Sequence, residues 1–219
     1  MGSEMCIRDR FHSVQGEGFH CGTPHVFVRF GNCNLRCEWC DTDFLTYEEM
    51  DLESIVEKVL SYQCDRVIFT GGEPAMQDLS TIGNRLKEHG ISLSIETNGT
   101  IVPSANLIRY IDQWNVSPKL RTSGNISDER LVPIALQLFA RLPKAFFKFV
   151  ITAESDIDEV CSLTDQYGIP SEQVLLMPEG RTADALNQKS EWLSEACVRH
   201  GVRFTTRLHK ILWGDDRGR

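Results

Sequence analysis

The chain has no run approaching the ~20 consecutive apolar residues that a membrane-spanning helix requires, and no charged start followed by the apolar centre of a secretion signal. Basic residues are also in short supply: 23 Lys and Arg against 31 Asp and Glu leave a formal charge of −8. Nucleic-acid binding needs a basic patch to neutralise phosphates, and the one basic cluster, near the C-terminus, is diluted by Asp215 and Asp216. G-x-x-x-x-G-K-[ST] is absent, as is G-x-G-x-x-G at a strand–helix junction, and Gly16-Glu17-Gly18 is too short and too acidic to cradle phosphate. There is no internal repeat and no low-complexity linker. These absences leave a soluble globular protein, with neither nucleic acid nor membrane as a partner. At 219 residues, 41% apolar and 25% charged, it has ample length for a real core.

Cysteine is not scarce, but its placement is uneven. Of eight cysteines, Cys6, Cys21, Cys64, Cys161 and Cys197 are dispersed in apolar or mixed surroundings, as small buried hydrophobes are. That usage suits a reducing cytoplasm better than secretion. The other three, Cys33, Cys37 and Cys40, share one short loop. Steps of three and four residues let three sulfurs reach one object, since they extend at most about 10 and 14 Å. Three thiolates can hold three irons of a four-iron cluster and leave the fourth iron open for chemistry. The competing reading is structural zinc, with Cys21, His20 or His25 as fourth ligand, although no second ligand pair follows at a distance. Spacing alone favours iron–sulfur by a small margin and leaves zinc open.

Along the chain, β-branched and apolar runs alternate with helical patterns. Strands are expected at residues 25–30, 66–70, 91–96, 114–117, 145–151, 173–177 and 202–206, and helices at 52–60, 79–86, 126–140, 154–167 and 182–199. Such alternation implies an α/β fold with parallel strands and right-handed crossovers. Six or seven strands suggest an incomplete, TIM-like barrel, with a doubly wound sheet as the fallback. Either way, chemistry belongs at the C-terminal ends of the strands. There lie the cysteine loop, Thr70-Gly71-Gly72-Glu73-Pro74, Glu96-Thr-Asn-Gly-Thr100, Ser117-Pro118-Lys119 and 177–182, five polar clusters that read as one site. Residues 1–10 show no clear period and carry no functional signal, so the domain is expected over 11–219.

Cys-x3-Cys-x2-Cys after one strand and Gly-Gly-Glu-Pro after the next resemble the radical S-adenosylmethionine superfamily. Adding Val14-Gln15-Gly16-Glu17-Gly18, Arg29, Cys40-Asp41-Thr42, Ser117-Pro118-Lys119 and the segment 208–218, the chain beyond residue 10 resembles the 7-carboxy-7-deazaguanine synthase family. That resemblance implies a lyase converting 6-carboxy-5,6,7,8-tetrahydropterin to 7-carboxy-7-deazaguanine with loss of ammonia, toward queuosine-type bases. It implies a 4Fe-4S cluster on Cys33, Cys37 and Cys40, S-adenosyl-L-methionine as source of a 5′-deoxyadenosyl radical, and Mg²⁺ on Thr42. Val14, Gln15, Gly16, Glu17, Arg29, Thr70, His209 and Arg219 are then expected at the substrate. Trp39, Cys40, Asp41, Gly71, Gly72, Ser117, Pro118 and Lys119 are expected at the S-adenosylmethionine. The resemblance also implies a homodimer and an electron donor such as flavodoxin or ferredoxin. Two other readings compete: an activase that places a glycyl radical on a protein partner, and a non-enzymatic zinc-stabilised binding module.

Overall fold

A computed structural model of the protein describes residues 4–216 and 218. Among them nine strands form one sheet: β1 (Met5–Val14), β2 (Pro24–Phe30), β3 (Glu48–Met50), β4 (Arg66–Gly71), β5 (Ser92–Thr97), β6 (Gln113–Val116), β7 (Ala145–Ile151), β8 (Val174–Pro178) and β9 (Arg203–Phe204). The helices are α1 (Leu52–Ser61), α2 (Ser80–Glu88), α3 (Ala105–Tyr110), α4 (Ser127–Arg130), α5 (Pro133–Ala140), α6 (Asp156–Tyr167), α7 (Ala183–His200) and α8 (Leu208–Trp213). The strand order is β3-β1-β2-β4-β5-β6-β7-β8-β9. From β2 onward every pairing is parallel, while β1 runs antiparallel to both its neighbours.

Side chains alternate across a strand, so each strand gives one set of residues to each face. On one face Val28, Phe69, Ile95, Trp114, Phe147, Phe149 and Leu176 join a single apolar cluster with Ile55 and Val59 of α1, Leu86 of α2, Phe139 of α5, Leu163 of α6 and Leu193 of α7. The other face carries His25, Arg29, Thr70, Ser94, Glu96, Gln113, Asn115 and Lys148. Helices α1, α2, α5, α6 and α7 therefore pack on one and the same face, which sets aside the doubly wound alternative. The sheet also brings its two ends together: Leu208 N donates to Gly16 O at 2.8 Å, and Gly18 N to Thr205 Oγ1 at 3.1 Å. These bonds join the β1–β2 connection to the segment after β9, and the result is an open barrel with its polar face inside.

Two sequence expectations are corrected by the structure. Residues 5–10 belong to β1, so residue 10 is not a structural boundary; Met5 and Ile7 are buried in the core. A register shift between Ile7 and Asp9 breaks the two-residue alternation, which hides the strand in the sequence. The helix expected over 126–140 is two, α4 and α5, because Pro133 cannot continue a helix and instead starts one.

Candidate active site

The cysteine loop leaves β2 and is held by the exits of β4 and β5. Gly72 N donates to Phe30 O at 3.0 Å, and Glu73 N to Asn32 O at 2.8 Å. A Cβ on Gly72 would stand 1.7 Å from Asn32 O, so the loop's own backbone occupies the space a side chain would need. Glu73 is fully buried and accepts from Asn98 N at 2.6 Å, Thr97 Oγ1 at 2.7 Å and Ala75 N at 3.0 Å. Burial pushes its carboxyl upward in pKa despite these donors. Asn98 Nδ2 then donates to Asn34 Oδ1 at 2.8 Å, inside the loop itself. Gly-Gly-Glu-Pro and Glu-Thr-Asn-Gly-Thr are thus braces for the thiols.

Cys33, Cys37 and Cys40 line one cavity of about 200 Å³ together with Trp39, Gly72, Ser117 and Lys119. Lys119 Nζ donates to Ser117 O at 2.9 Å and Ser117 Oγ at 3.0 Å, and lies 5.5 Å from the centre of the Trp39 ring. Burial lowers the ammonium's pKa, and the neighbouring Cys37 and Cys33 thiols oppose that shift. A second cavity of about 590 Å³ is lined by Phe11, Val14, Gln15, Gly16, Arg29 and His209. Glu17, Cys40, Asp41, Thr42, Thr70, Gly71, Glu96 and Arg207 line both, so the cavities share a wall.

That wall is a chain of charges. Glu17 accepts from Lys148, and from Arg207 Nε at 3.0 Å. Burial alone would raise the Glu17 carboxyl, but Lys148 and Arg207 outweigh it and hold it well below the usual carboxylate range. Arg207 reaches on to Asp41 Oδ2 at 2.5 Å, and Lys210 Nζ lies 3.8 Å from the same oxygen. His209 Nε2 is 4.0 Å from Glu17, and burial keeps its imidazole below its ordinary pKa. Glu96 accepts from Gln15 Nε2 at 3.0 Å and from Thr70 Oγ1 at 2.6 Å.

Most expected site residues therefore converge on the two cavities. Pro118 is buried but does not line them, and Arg219 lies outside the described residues. Arg29 lines the larger cavity with both arms on Asp9, its Nε donating at 2.6 Å. Residues 14–17 do not come from the rim: β1 is antiparallel, so they enter from the end at which β2 begins. Glu96 was expected in a polar cluster at the rim without a role of its own, and nothing was expected of Lys148 or Arg207. Lys148 had a signal, as one cation within the apolar run Ala145–Ile151; Arg207 had none.

Cys21, His20 and His25, the candidates for a fourth zinc ligand, are not among the residues lining the thiol cavity. Among the described residues no three His, Cys, Asp or Glu side chains gather tightly enough to hold a single metal ion. Three thiols set around a cavity, with the half-buried Lys119 facing them, suit a four-iron cluster with one open iron. Residues 27–119 match the family model described as the Radical SAM superfamily. The chain is a radical S-adenosylmethionine enzyme, with a 4Fe-4S cluster and S-adenosylmethionine as its cofactors.

Full-length relatives narrow the class. A 7-carboxy-7-deazaguanine synthase of Pyrobaculum aerophilum is 38% identical over 97% of this chain and 96% of its own length. One from Halobacterium salinarum is 36% identical over 98% and 92%. The crystal structure of QueE from Escherichia coli superposes with a TM-score of 0.73 at 24% identity, covering 94% of this chain and 95% of that one, and supports the fold. The chain belongs to the 7-carboxy-7-deazaguanine synthase family.

Proposed function

We propose that the chain converts 6-carboxy-5,6,7,8-tetrahydropterin to 7-carboxy-7-deazaguanine with release of ammonia, on a route to queuosine-type bases. One observation carries this reading: the thiol cavity and a larger polar cavity share a wall, so a small heterocycle can lie beside the cofactor. When bound, the cluster and S-adenosylmethionine supply hydrogen-atom abstraction, and the polypeptide supplies placement and exclusion of water. Cys33, Cys37 and Cys40 hold the cluster. Trp39, Gly71, Gly72, Ser117 and Lys119 face the S-adenosylmethionine.

Val14, Gln15 and Gly16 meet the flat edge of the pterin, with Thr70 and Glu96 completing the hydrogen-bonding rim. The Arg29 fork suits a carboxylate, which it takes by exchanging or sharing Asp9. Thr42 holds Mg²⁺ only if the substrate carboxylate and waters complete the octahedron. A homodimer served by flavodoxin or ferredoxin completes the proposal. No described helix is long and apolar enough to cross a membrane. An activase acting on a protein would call for a broad docking face and makes no use of Gln15 or Arg29.

Anaerobic incubation of the reconstituted protein with the tetrahydropterin, S-adenosylmethionine and a reductant tests the reading; the deazaguanine product is expected. Stoichiometric zinc without labile sulfide would end it. Arg29→Ala should abolish pterin turnover while S-adenosylmethionine is still cleaved, and unchanged turnover would remove Arg29 from the carboxylate site.

A further inference from the structure

The segment leaving β6 reaches the cysteine loop at two points. Ser123 O accepts from Glu38 N at 3.0 Å, and Asn125 Oδ1 accepts from Arg36 N at 2.8 Å. A backbone N–H can only donate, so the amide oxygen of Asn125 must face Arg36 and its NH₂ must face the other way. There Asn125 Nδ2 lies 3.3 Å from Cys37 Sγ and 3.1 Å from Ser123 Oγ.

The segment is fastened from behind by α6 and α4. Glu159 Oε2 accepts from Arg121 N at 2.9 Å, and Glu159 Oε1 pairs with Arg130 at 2.9 Å. Arg130 in turn donates to Lys119 O at 2.6 Å, and both Arg130 and Glu159 are buried. The segment that leads to Asn125 is therefore anchored at Lys119 and Arg121 by a buried ion pair. The other two thiols are met differently: Leu35 N lies 3.5 Å from Cys33 Sγ, and the Cys40 thiol points at an acceptor, Thr42 O, at 3.8 Å.

We propose that Asn125 is a positioning residue that raises the reduction potential of the cluster on Cys33, Cys37 and Cys40 by donating an N–H to Cys37 Sγ. The proposal rests on the radical S-adenosylmethionine reading. Reduction brings in one electron, and part of its charge falls on the ligand sulfurs. An N–H dipole aimed at a sulfur stabilises that charge more in the reduced state than in the oxidised one, which favours reduction.

Asn125→Asp tests this, because it keeps an oxygen for Arg36 N–H and replaces the donor to sulfur with a second oxygen. In the anaerobically reconstituted holoenzyme, iron and sulfide content should match the parent. A redox titration with dithionite, followed by electron paramagnetic resonance of the reduced cluster, should give a lower midpoint. The expected loss is about tenfold in the one-electron equilibrium, or ~59 mV. Asn125→Ala, which removes the donor without adding charge, should shift the midpoint the same way by less. A full cluster with an unchanged midpoint in both variants overturns the proposal. So does loss of the cluster from both, since that would give Asn125 a purely structural part. Zinc without sulfide in the parent protein would instead overturn the reading beneath it, so the two failures are distinguishable.

Discussion

On the helix-covered face of the sheet, Trp114, Phe147 and Phe149 lie fully buried in the apolar cluster. One residue along the same strands, Asn115 and Lys148 face the barrel interior, where each is buried and has a hydrogen-bond partner. Equal burial thus rests on different physics. The covered face gains from removing apolar area from water, while the inner face keeps Asn115 and Lys148 by hydrogen-bonding them to the side chains of Gln113 and Glu17. Stability and chemistry are thus divided between the two sides of one sheet, with the pleat as the divider.

The sharpest way to probe that division is Trp114→Ala. It should cost about 3–5 kcal/mol of stability by urea denaturation, with turnover per intact cluster in the folded protein within about threefold of the parent. A large loss of turnover in the folded fraction would break the division.

Lys148→Met tests the opposite side. Glu17 keeps Arg207, so the stability loss should be smaller, about 1–3 kcal/mol for a buried charge that loses one partner. Turnover should fall by much more, about 100-fold, because Glu17 at the shared wall loses one of the two cations that orient it. Equal modest effects on both measurements would make Lys148 a packing residue.

The smallest effect is that of pH. Burial holds His20, His25 and His209 below the ordinary imidazole value of 6.5. As pH falls through 6.5 the unfolded chain takes up protons that the folded chain does not, so stability declines. Glu17, depressed from 4.5, adds to the loss below that pH. The urea midpoint should therefore drop between pH 7.5 and 5.5, and His25→Gln should flatten the slope; a profile already flat in the parent would contradict neutral buried imidazoles.

Much of the fold was legible because strands are apolar runs bounded by Gly, Pro or Asn, as in residues 25–30 between Pro24 and Gly31. The strands β1 and β3 were not. A bulge disrupts the first, and the second is three residues of Glu-Glu-Met whose place is set by pairing with β1. The helix α3 is six residues long, too short for a helical period to show, and is started by the Ser104 side chain accepting from Leu107 N. At the site, the three cysteines and Gly-Gly were visible as motifs. Arg207 and Asn125 were not, since each matters through a partner far away: Arg207 through Glu17, 190 residues earlier, and Asn125 through Cys37, 88 residues earlier.

Residue order alone carries three thiols in one loop, an α/β alternation, and polar clusters at strand ends. Those are local properties, fixed by spacing and side-chain type. The tertiary structure decided which polar groups face one another. It turned the Gly16–Gly18 segment inward from the opposite end, engaged Arg29 with Asp9, and set Asn125 against Cys37. These pairings depend on how the sheet curls and on which loops meet across it, and no spacing along a chain encodes a distance between two strands.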